Sequence, residues 1–265
     1  MKRRACKRLL TAAVLCAVLT VPARAVRRSV PVQIDGKPIA VSAYVERGVT
    51  YVPLRALLNT IGAWDVWWDE ATGRAAAASD DTHLWADPAA DTVTIDEKTV
   101  RGRVTVENGV TYVPLRLVGE ALGCQVEWDP YLRGATVTSP GAAYDAGELY
   151  WLSRIIYAES GAESMSGQIA VGNVILNRVR SGSFPNTVEG VIFDRKDAVQ
   201  FEPVSNGRIY LPPTSQSVEA AKRVLDGENV VGSALYFYAP ALSQGTWINA
   251  NRPYQQTIGC HRFYR

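Results

Sequence analysis

The octapeptide Gly48-Val-Thr-Tyr-Val-Pro-Leu-Arg55 recurs unchanged as Gly109-Val-Thr-Tyr-Val-Pro-Leu-Arg116, 61 residues further on. Self-similarity at a fixed interval marks one supersecondary unit present twice, which fixes the architecture of the first half of the chain. The same interval pairs Ile34-Asp35 with Ile95-Asp96, Lys37 with Lys98 and Gly62 with Gly123. Beyond the glycines the first copy carries one extra residue, so Trp68-Asp69 stands opposite Trp128-Asp129.

Each copy has the same local logic. A strand runs into a turn at Arg47-Gly48 or Asn108-Gly109, and a second strand returns as far as Pro. A Pro can occupy the first turn of a helix, where its missing N–H costs nothing. Helices are therefore expected over Leu54–Ile61 and Leu115–Leu122, closed by Gly62 and Gly123. Strands around Trp67 and over Val126–Trp128 follow, then Ala75–Ala78 and Ala135–Thr138. Both copies are expected to pack as one α+β body.

The paired Thr-Tyr-Val-Pro-Leu-Arg segments, each followed by a Gly and a Trp-Asp, resemble the copper-amine-oxidase N-terminal-like (stalk) domain. The resemblance covers roughly residues 30–138. It implies a fold and no oxidase activity, because the oxidase's catalytic domain and copper-binding histidines have no match here. Trp64, Trp67, Trp68 and Trp85 have two readings, a stacking surface for sugar rings or strand residues that pack the core with a few left exposed, and the usual burial of Trp favours the second. Arg55 and Arg116 recur at equivalent places, as a fold requirement would dictate.

The first 25 residues read as a secretory signal. Lys2, Arg3, Arg4, Lys7 and Arg8 precede a mostly apolar run over Leu9–Val21, and Ala23-Arg-Ala25 follows Pro22. The run is too short to favour a retained span, so no stable membrane anchor is expected after cleavage. Removing the six basic residues of this segment leaves 22 basic against 26 acidic side chains, about −4, which argues against nucleic acid as a partner. Cys124 and Cys260 then remain, and two free, buried thiols are preferred to a bridge between halves. With only His83 and His261, a His-rich metal site is excluded, and no cofactor is expected.

In the second half, apolar spacing predicts helices over about Leu149–Ala158 and Met165–Arg180, the first broken by Ser160-Gly161 and the second capped by Ser164. A Phe184-Pro185 turn, a short helix over Val188–Phe193 and a helix capped by Thr214 or Ser215 and ended at Gly227 follow. Ala234–Tyr238 alternates like a strand, and Thr257–Phe263 is expected to close the chain as another. The expected divisions are a signal at 1–25, the repeat module at 26–139, a linker at 140–148 and a second α+β domain at 149–265. That domain should combine a helical lobe with a small antiparallel sheet.

Several pieces stand in family order here: Arg154-Ile-Ile-Tyr-Ala-Glu-Ser-Gly-Ala-Glu163, Gly167-Gln-Ile-Ala-Val-Gly-Asn-Val-Ile-Leu-Asn-Arg-Val179, Phe184-Pro185, Gln200-Phe201, Ala234-Leu-Tyr-Phe-Tyr238 and Ile258-Gly259 with His261 and Phe263. Together they resemble the spore-cortex-lytic (SleB-type) cell wall hydrolase family. Ser160 replaces the commoner Ala after the catalytic Glu, and Cys260 precedes the His; neither removes an expected catalytic group. The resemblance implies muramidase or lytic transglycosylase chemistry on peptidoglycan glycan strands, at the MurNAc–GlcNAc bond, in the bacterial envelope or spore. Glu159 would be the catalytic group.

The residues make physical sense of that role. An acid that protonates a leaving oxygen near neutral pH needs its pKa raised by burial or a like charge. Glu159 has apolar helix neighbours, and Glu163 lies four residues on. Gly161 argues against a continuous helix, which would leave Glu163 at the start of the second helix, where the dipole favours its ionised form. Glycosidases ordinarily use a second carboxylate, for which Asp194, Asp197 and Glu202 are available. A lytic transglycosylase dispenses with it, because the substrate's own hydroxyl attacks the sugar.

Glu163, Asn177, Gln200, Tyr236 and Tyr238 are candidates for substrate binding, the tyrosines because strand alternation puts both on one face. Each has a structural alternative: capping for Glu163, ties within the fold for Asn177 and Arg178, core packing for the tyrosines. His261 reads as structural. The competing function is a wall-binding protein whose hydrolase-like domain holds glycan without cleaving it. Peptide or amide cleavage is disfavoured by the lack of a zinc site and of a Cys–His or Ser–His pairing.

Overall fold

A computed structural model describes residues 27–40, 42–196 and 199–265. The expected signal segment and Asp197 lie outside the described residues.

The first copy of the repeat runs β1 (Arg28–Val30), β2 (Val32–Ile34), β3 (Lys37–Pro38), β4 (Ala43–Glu46), β5 (Val49–Pro53), α1 (Leu54–Ile61), β6 (Asp65–Asp69) and β7 (Arg74–Ala78). A joining strand, β8 (His83–Asp87), has no counterpart in the second copy. That copy runs β9 (Thr92–Ile95), β10 (Lys98–Arg101), β11 (Thr105–Glu107), β12 (Val110–Pro114), α2 (Leu115–Ala121), β13 (Gln125–Asp129) and β14 (Gly134–Thr138).

The duplicated octapeptides meet at the centre. β5 and β12 pair antiparallel with Val52 opposite Val113, so equivalent residues face each other across a local pseudo-twofold axis. Both valines are fully buried, and a single apolar cluster draws on both copies. The copies also exchange hairpins. β2–β3 joins β13–β14, while β9–β10 joins β6–β7 through β8. The exchange explains why the repeat makes one body.

Turn chemistry follows the sequence. Arg47-Gly48 (φ 51° and 79°) and Asn108-Gly109 (φ 50° and 76°) put both central residues at positive φ, the turn whose twist suits a two-residue hairpin. Pro53 and Pro114 end their strands one residue before the helices rather than inside the first turn. Gly123 stands at φ +81°, whereas Gly62 is extended and donates to Leu58 O at 3.0 Å, so the extra residue of the first copy changes how its helix ends.

The second half comprises α3 (Ala146–Ser160), α4 (Met165–Arg180), α5 (Val188–Ile192), α6 (Glu202–Asn206), α7 (Ser215–Leu225), β15 (Tyr236–Tyr238), α8 (Thr246–Asn251), β16 (Tyr254–Ile258) and β17 (His261–Tyr264). Three differences from expectation have local causes. α3 starts at Ala146, because the Asp145 side chain caps it by accepting from Glu148 N. The strand expected from Ala234 begins at Tyr236, since Asn177 and Arg178 take the carbonyls of Ala234 and Leu235. The closing segment is a hairpin, not one strand: Gly259 turns at φ +55°, and a Cβ there would lie 1.9 Å from Glu163 Oε2. Cys260 is consequently exposed in that turn, while Cys124 is buried, its thiol pushed up to about 11 by burial; both are free. Among the described residues no helix is long and apolar enough to cross a membrane.

The halves dock through α3 and the outer face of β13–β14. Trp151, fully buried, donates from Nε1 to Asp129 Oδ2 at 2.5 Å. Ala146 N donates to Thr138 Oγ1 at 3.1 Å, and Tyr131 stacks on Phe193 with centroids 4.0 Å apart.

Close packing at the hairpin exchange yields a stability prediction. A Cβ on Gly134 would sit 2.1 Å from the Pro31 carbonyl oxygen, a backbone atom that anchors Ala135 N. Its counterpart in the first copy is Arg74, whose neighbour β8 runs antiparallel and whose side chain, 46% exposed, pairs with Asp87. Gly134→Ala should cost about 1–3 kcal/mol by overpacking. Arg74→Ala should cost under about 1 kcal/mol, because the guanidinium is half exposed and Asp87 keeps the Ala89 and Ala90 N–H donors. Urea unfolding of both variants tests the contrast.

Candidate active site

Helix α3 is apolar on nearly every side and buried accordingly, which places its last turn inside the domain. Glu159 is the penultimate residue of that turn. Its carboxyl is raised from 4.5 to about 7, first by burial and then by the nearby Glu202, against the opposing pull of Arg208 and Arg178. The like charge expected from Glu163 comes instead from Glu202, at the start of α6. The chain breaks helix at Gly161 and carries Glu163 away from that side.

Arg178, near the end of α4, organises the surroundings. It is 5% exposed, and burial lowers its guanidinium to about 10, against the raising influence of Tyr236, Asp194 and Glu159. Nε donates to Leu235 O at 2.7 Å and Nη1 to Gln200 Oε1 at 3.4 Å. Its guanidinium also lies 4.8 Å from the centroid of Phe184, 5.3 Å from Phe201 and 5.5 Å from Tyr236, so aromatic faces partly replace lost water. A buried cation beside a carboxyl that is half protonated at neutral pH can stabilise the anion formed when the proton leaves.

Tyr236 opens towards an aromatic rim. Its ring meets Phe184 and Trp247 edge-on, and Arg252 lies over both Tyr236 (4.5 Å) and Trp247 (5.1 Å). Trp247, on α8, is 57% exposed and marks the outer limit of this surface. Glu159, Gln200 and Tyr236 are thus brought together around Arg178.

The other sequence candidates are placed elsewhere. Tyr238 is a correction: it is buried, exchanges hydrogen bonds with Asn249 and stacks on Tyr264. Gly245, at φ +59°, passes so close to its ring that a Cβ would stand 2.3 Å away. Asn177 donates to the carbonyls of Gly232 (2.8 Å) and Ala234 (2.9 Å), tying the loop before β15 to α4. Glu163 accepts from Cys260 N at 3.3 and 3.4 Å, with His261 Nδ1 3.9 Å from Oε1. Burial lowers the His261 pKa despite that carboxylate, so the imidazole is neutral at neutral pH. Glu163 and His261 pin the final hairpin to the start of α4.

Arg208, Arg252 and Trp247 are missing from the sequence reading. Arg208 lies in a single 3-10 turn after Gly207, and no periodicity marks such a segment. Trp247 and Arg252 stand in and after a six-residue helix without an apolar stripe, buried nowhere along its length.

A scan of family descriptions matches residues 162–264 to Cell Wall Hydrolase and residues 33–137 to the Copper amine oxidase N-terminal domain. Residues 162–264 thus form a domain of the cell wall hydrolase type. The match begins just past Glu159, so the role of that residue stands on geometry. A spore cortex-lytic enzyme of Bacillus cereus is 38% identical over 134 residues, covering 51% of this chain and 49% of the relative. One from Oceanobacillus iheyensis is 37% identical over 120 residues, 45% of this chain and 42% of that protein. The cell wall hydrolase CwlJ of Halalkalibacterium halodurans is 32% identical over 95 residues, 34% of this chain and 65% of its own. The solved catalytic domain of the germination-specific lytic transglycosylase SleB from Bacillus anthracis is 39% identical, with a TM-score of 0.43 over 48% of this chain and 99% of that one. The chain spans about half the length of the spore cortex-lytic enzymes it matches.

The raised carboxyl has a thermodynamic consequence. Folded Glu159 keeps its proton up to about 7, whereas the unfolded group releases it near 4.5, so the folded state binds more protons across that window. Its contribution to stability is complete below 4.5 and is lost as pH rises through about 7. Glu159→Gln has no such loss. It should melt with the wild type at pH 4 and above it at pH 8, read by calorimetry at both values.

Proposed function

We propose that this chain cleaves the glycan strand of peptidoglycan between MurNAc and GlcNAc, with Glu159 as the single general acid and base. The carrying observation is a carboxyl held at about 7 by burial and Glu202, with Arg178, Gln200 and Tyr236 beside it. Protonated Glu159 gives its proton to the glycosidic oxygen as the bond from that oxygen to C1 breaks. The resulting carboxylate then takes a proton from the C6 hydroxyl of MurNAc while that oxygen bonds to C1, closing an anhydro ring and restoring the acid. One group acting twice needs a pKa near the working pH, because it must both lose and regain its proton. Arg178 steadies the anion between the two transfers. Gln200 and Tyr236, with Trp247 as a sugar-stacking face, hold the strand.

Support comes from the family match, from relatives named as spore cortex-lytic enzymes and cell wall hydrolases, and from a similar catalytic domain described as a lytic transglycosylase. Export follows from the basic and apolar amino-terminal segment, and the site of action is the cell wall or spore. Hydrolysis with Glu202 as base is the second reading, favoured by its closeness to Glu159. The two mechanisms differ by one water in the product, which mass spectrometry of digested sacculi separates.

Glu159→Gln should abolish release of soluble fragments from purified sacculi without unfolding the chain. Release at the wild-type rate in that variant refutes the assignment. The rate should fall as pH rises through about 7, where Glu159 loses the proton it must donate. Glu202→Gln removes a like charge, lowers the Glu159 pKa and should move that alkaline limb to lower pH. An unmoved limb would show that Glu159 does not control it.

A further inference from the structure

The outer face of the sheet β6–β10 carries a row that the enzyme reading leaves unused. Cross-strand pairing sets Trp67 opposite Ala76, Ala76 opposite Trp85, Trp85 opposite Thr94 and Thr94 opposite Thr99, so all five side chains share one face. Trp67 is 46% and Trp85 36% exposed, while Trp64 packs against the core. Ala76 faces outward between them, yet is only 2% exposed. An outward alanine is covered to that extent only where its neighbours lean over it, and Trp67 and Trp85 are its cross-strand partners on either side. His83 continues the surface, its ring nearly parallel to Trp85 at 13° with centroids 5.9 Å apart.

The duplication shows that these rings are not a fold requirement. The counterpart of Trp67 in the second copy is Glu127, and Trp85 lies on β8, which that copy lacks. The equivalent face of the second copy is the one on which the hydrolase half docks, through Asp129 and Thr138. The face in the first copy is therefore open where its twin is occupied, and aromatic where its twin is polar.

We propose that this face is a glycan-binding platform, separate from the active site, which takes a β-1,4-linked N-acetylhexosamine chain. Two strand spacings separate Trp67 from Trp85, about 10 Å, the length of roughly two pyranose rings end to end. Flat indoles suit the apolar faces of such rings. Asp65 on the same face can accept from sugar hydroxyls, and Thr94 and Thr99 both donate and accept, whereas Asp69 and Asp87 already accept from Ala71 N and Thr72 Oγ1 and from Ala89 N, Ala90 N and Arg74. Three carboxylates against Arg74 and Arg101, with Arg74 already paired to Asp87 at 2.7 Å, disfavour a polyanion. The choice of sugar rests on the reading that the hydrolase half acts on wall glycan.

The test uses the full chain with Glu159→Gln to prevent turnover, and two ligands, purified sacculi and the hexamer of β-1,4-linked N-acetylglucosamine. Calorimetry should give two hexamers per chain, falling to one in Trp67→Ala/Trp85→Ala, with sacculus affinity reduced at least tenfold. Trp67→Tyr/Trp85→Tyr should restore the second hexamer and bring sacculus affinity back to within about threefold, separating ring loss from misfolding. With Glu159 intact, the alanine pair should release fragments from soluble glycan at the wild-type rate. Unchanged binding in the alanine pair overturns the platform. So does a concentration-dependent dimer that the pair abolishes, which would assign the face to a second copy. If sacculi stay undigested by the wild type while the platform site persists, the enzymatic reading fails and this one stands.

Discussion

Nearly everything in the second half depends on the burial of α3. Leu152, Ile155 and Ile156 are fully buried, and so is Trp151, which also crosses to the repeat module through Asp129. Arg154, 3% exposed, keeps its charge tolerable by lying 3.5 Å over the Tyr150 ring and donating to the Tyr150 carbonyl. A helix enclosed on all sides has little freedom to roll or slide. Its last turn is consequently a fixed point, and Glu159 inherits that fixity along with a poor supply of water. Position and pKa thus have one cause.

The second constraint is electrostatic. Glu159 and Arg178 are each costly to bury, and each moves its pKa towards neutrality, up for the acid and down for the base. Their mutual attraction opposes both shifts, so Arg178 stays a cation at neutral pH while Glu159 stands between acid and carboxylate. Such a balance suits a proton that must leave and return. Three aromatic rings around Arg178 hold the balance in place without offering it a full carboxylate partner. The site is therefore tuned by packing as much as by charge.

The repeat and the long helices were legible because periodicity records them: α1 and α4 match their expected limits, and Ser164 and Thr214 cap as their residue types dictate. Glu159 was legible because an acid in an apolar helix contradicts its surroundings. Glu202 and Arg208 were not singled out, since they reach Glu159 from short segments whose folding is set by tertiary contacts rather than by local pattern. Tyr238 misled because strand alternation fixes a face without saying what covers it; the segment carrying Gly245 and Asn249 does. Among the tryptophans Trp64 packs against the core, and which of the others stay exposed was not legible. Burial statistics describe a typical Trp, and Trp67 stands on a face that the twin copy uses for docking.

That last point bears on what the duplication does for the chain. Two copies related by a pseudo-twofold axis present the same outer face twice, in different directions. A face needed only to complete the fold would keep similar residues in both copies, as the Val52–Val113 contact does. Here the two faces have diverged, one to Glu127, Thr136 and Gln33 beneath the hydrolase, the other to Trp67, Ala76 and Trp85 in the open. Both copies keep apolar residues in the core, as Leu57 against Val118 and Ala77 against Val137 do, while the outer faces differ in chemical character. The module thus presents two unlike surfaces, and its shared core fixes the orientation of one relative to the other.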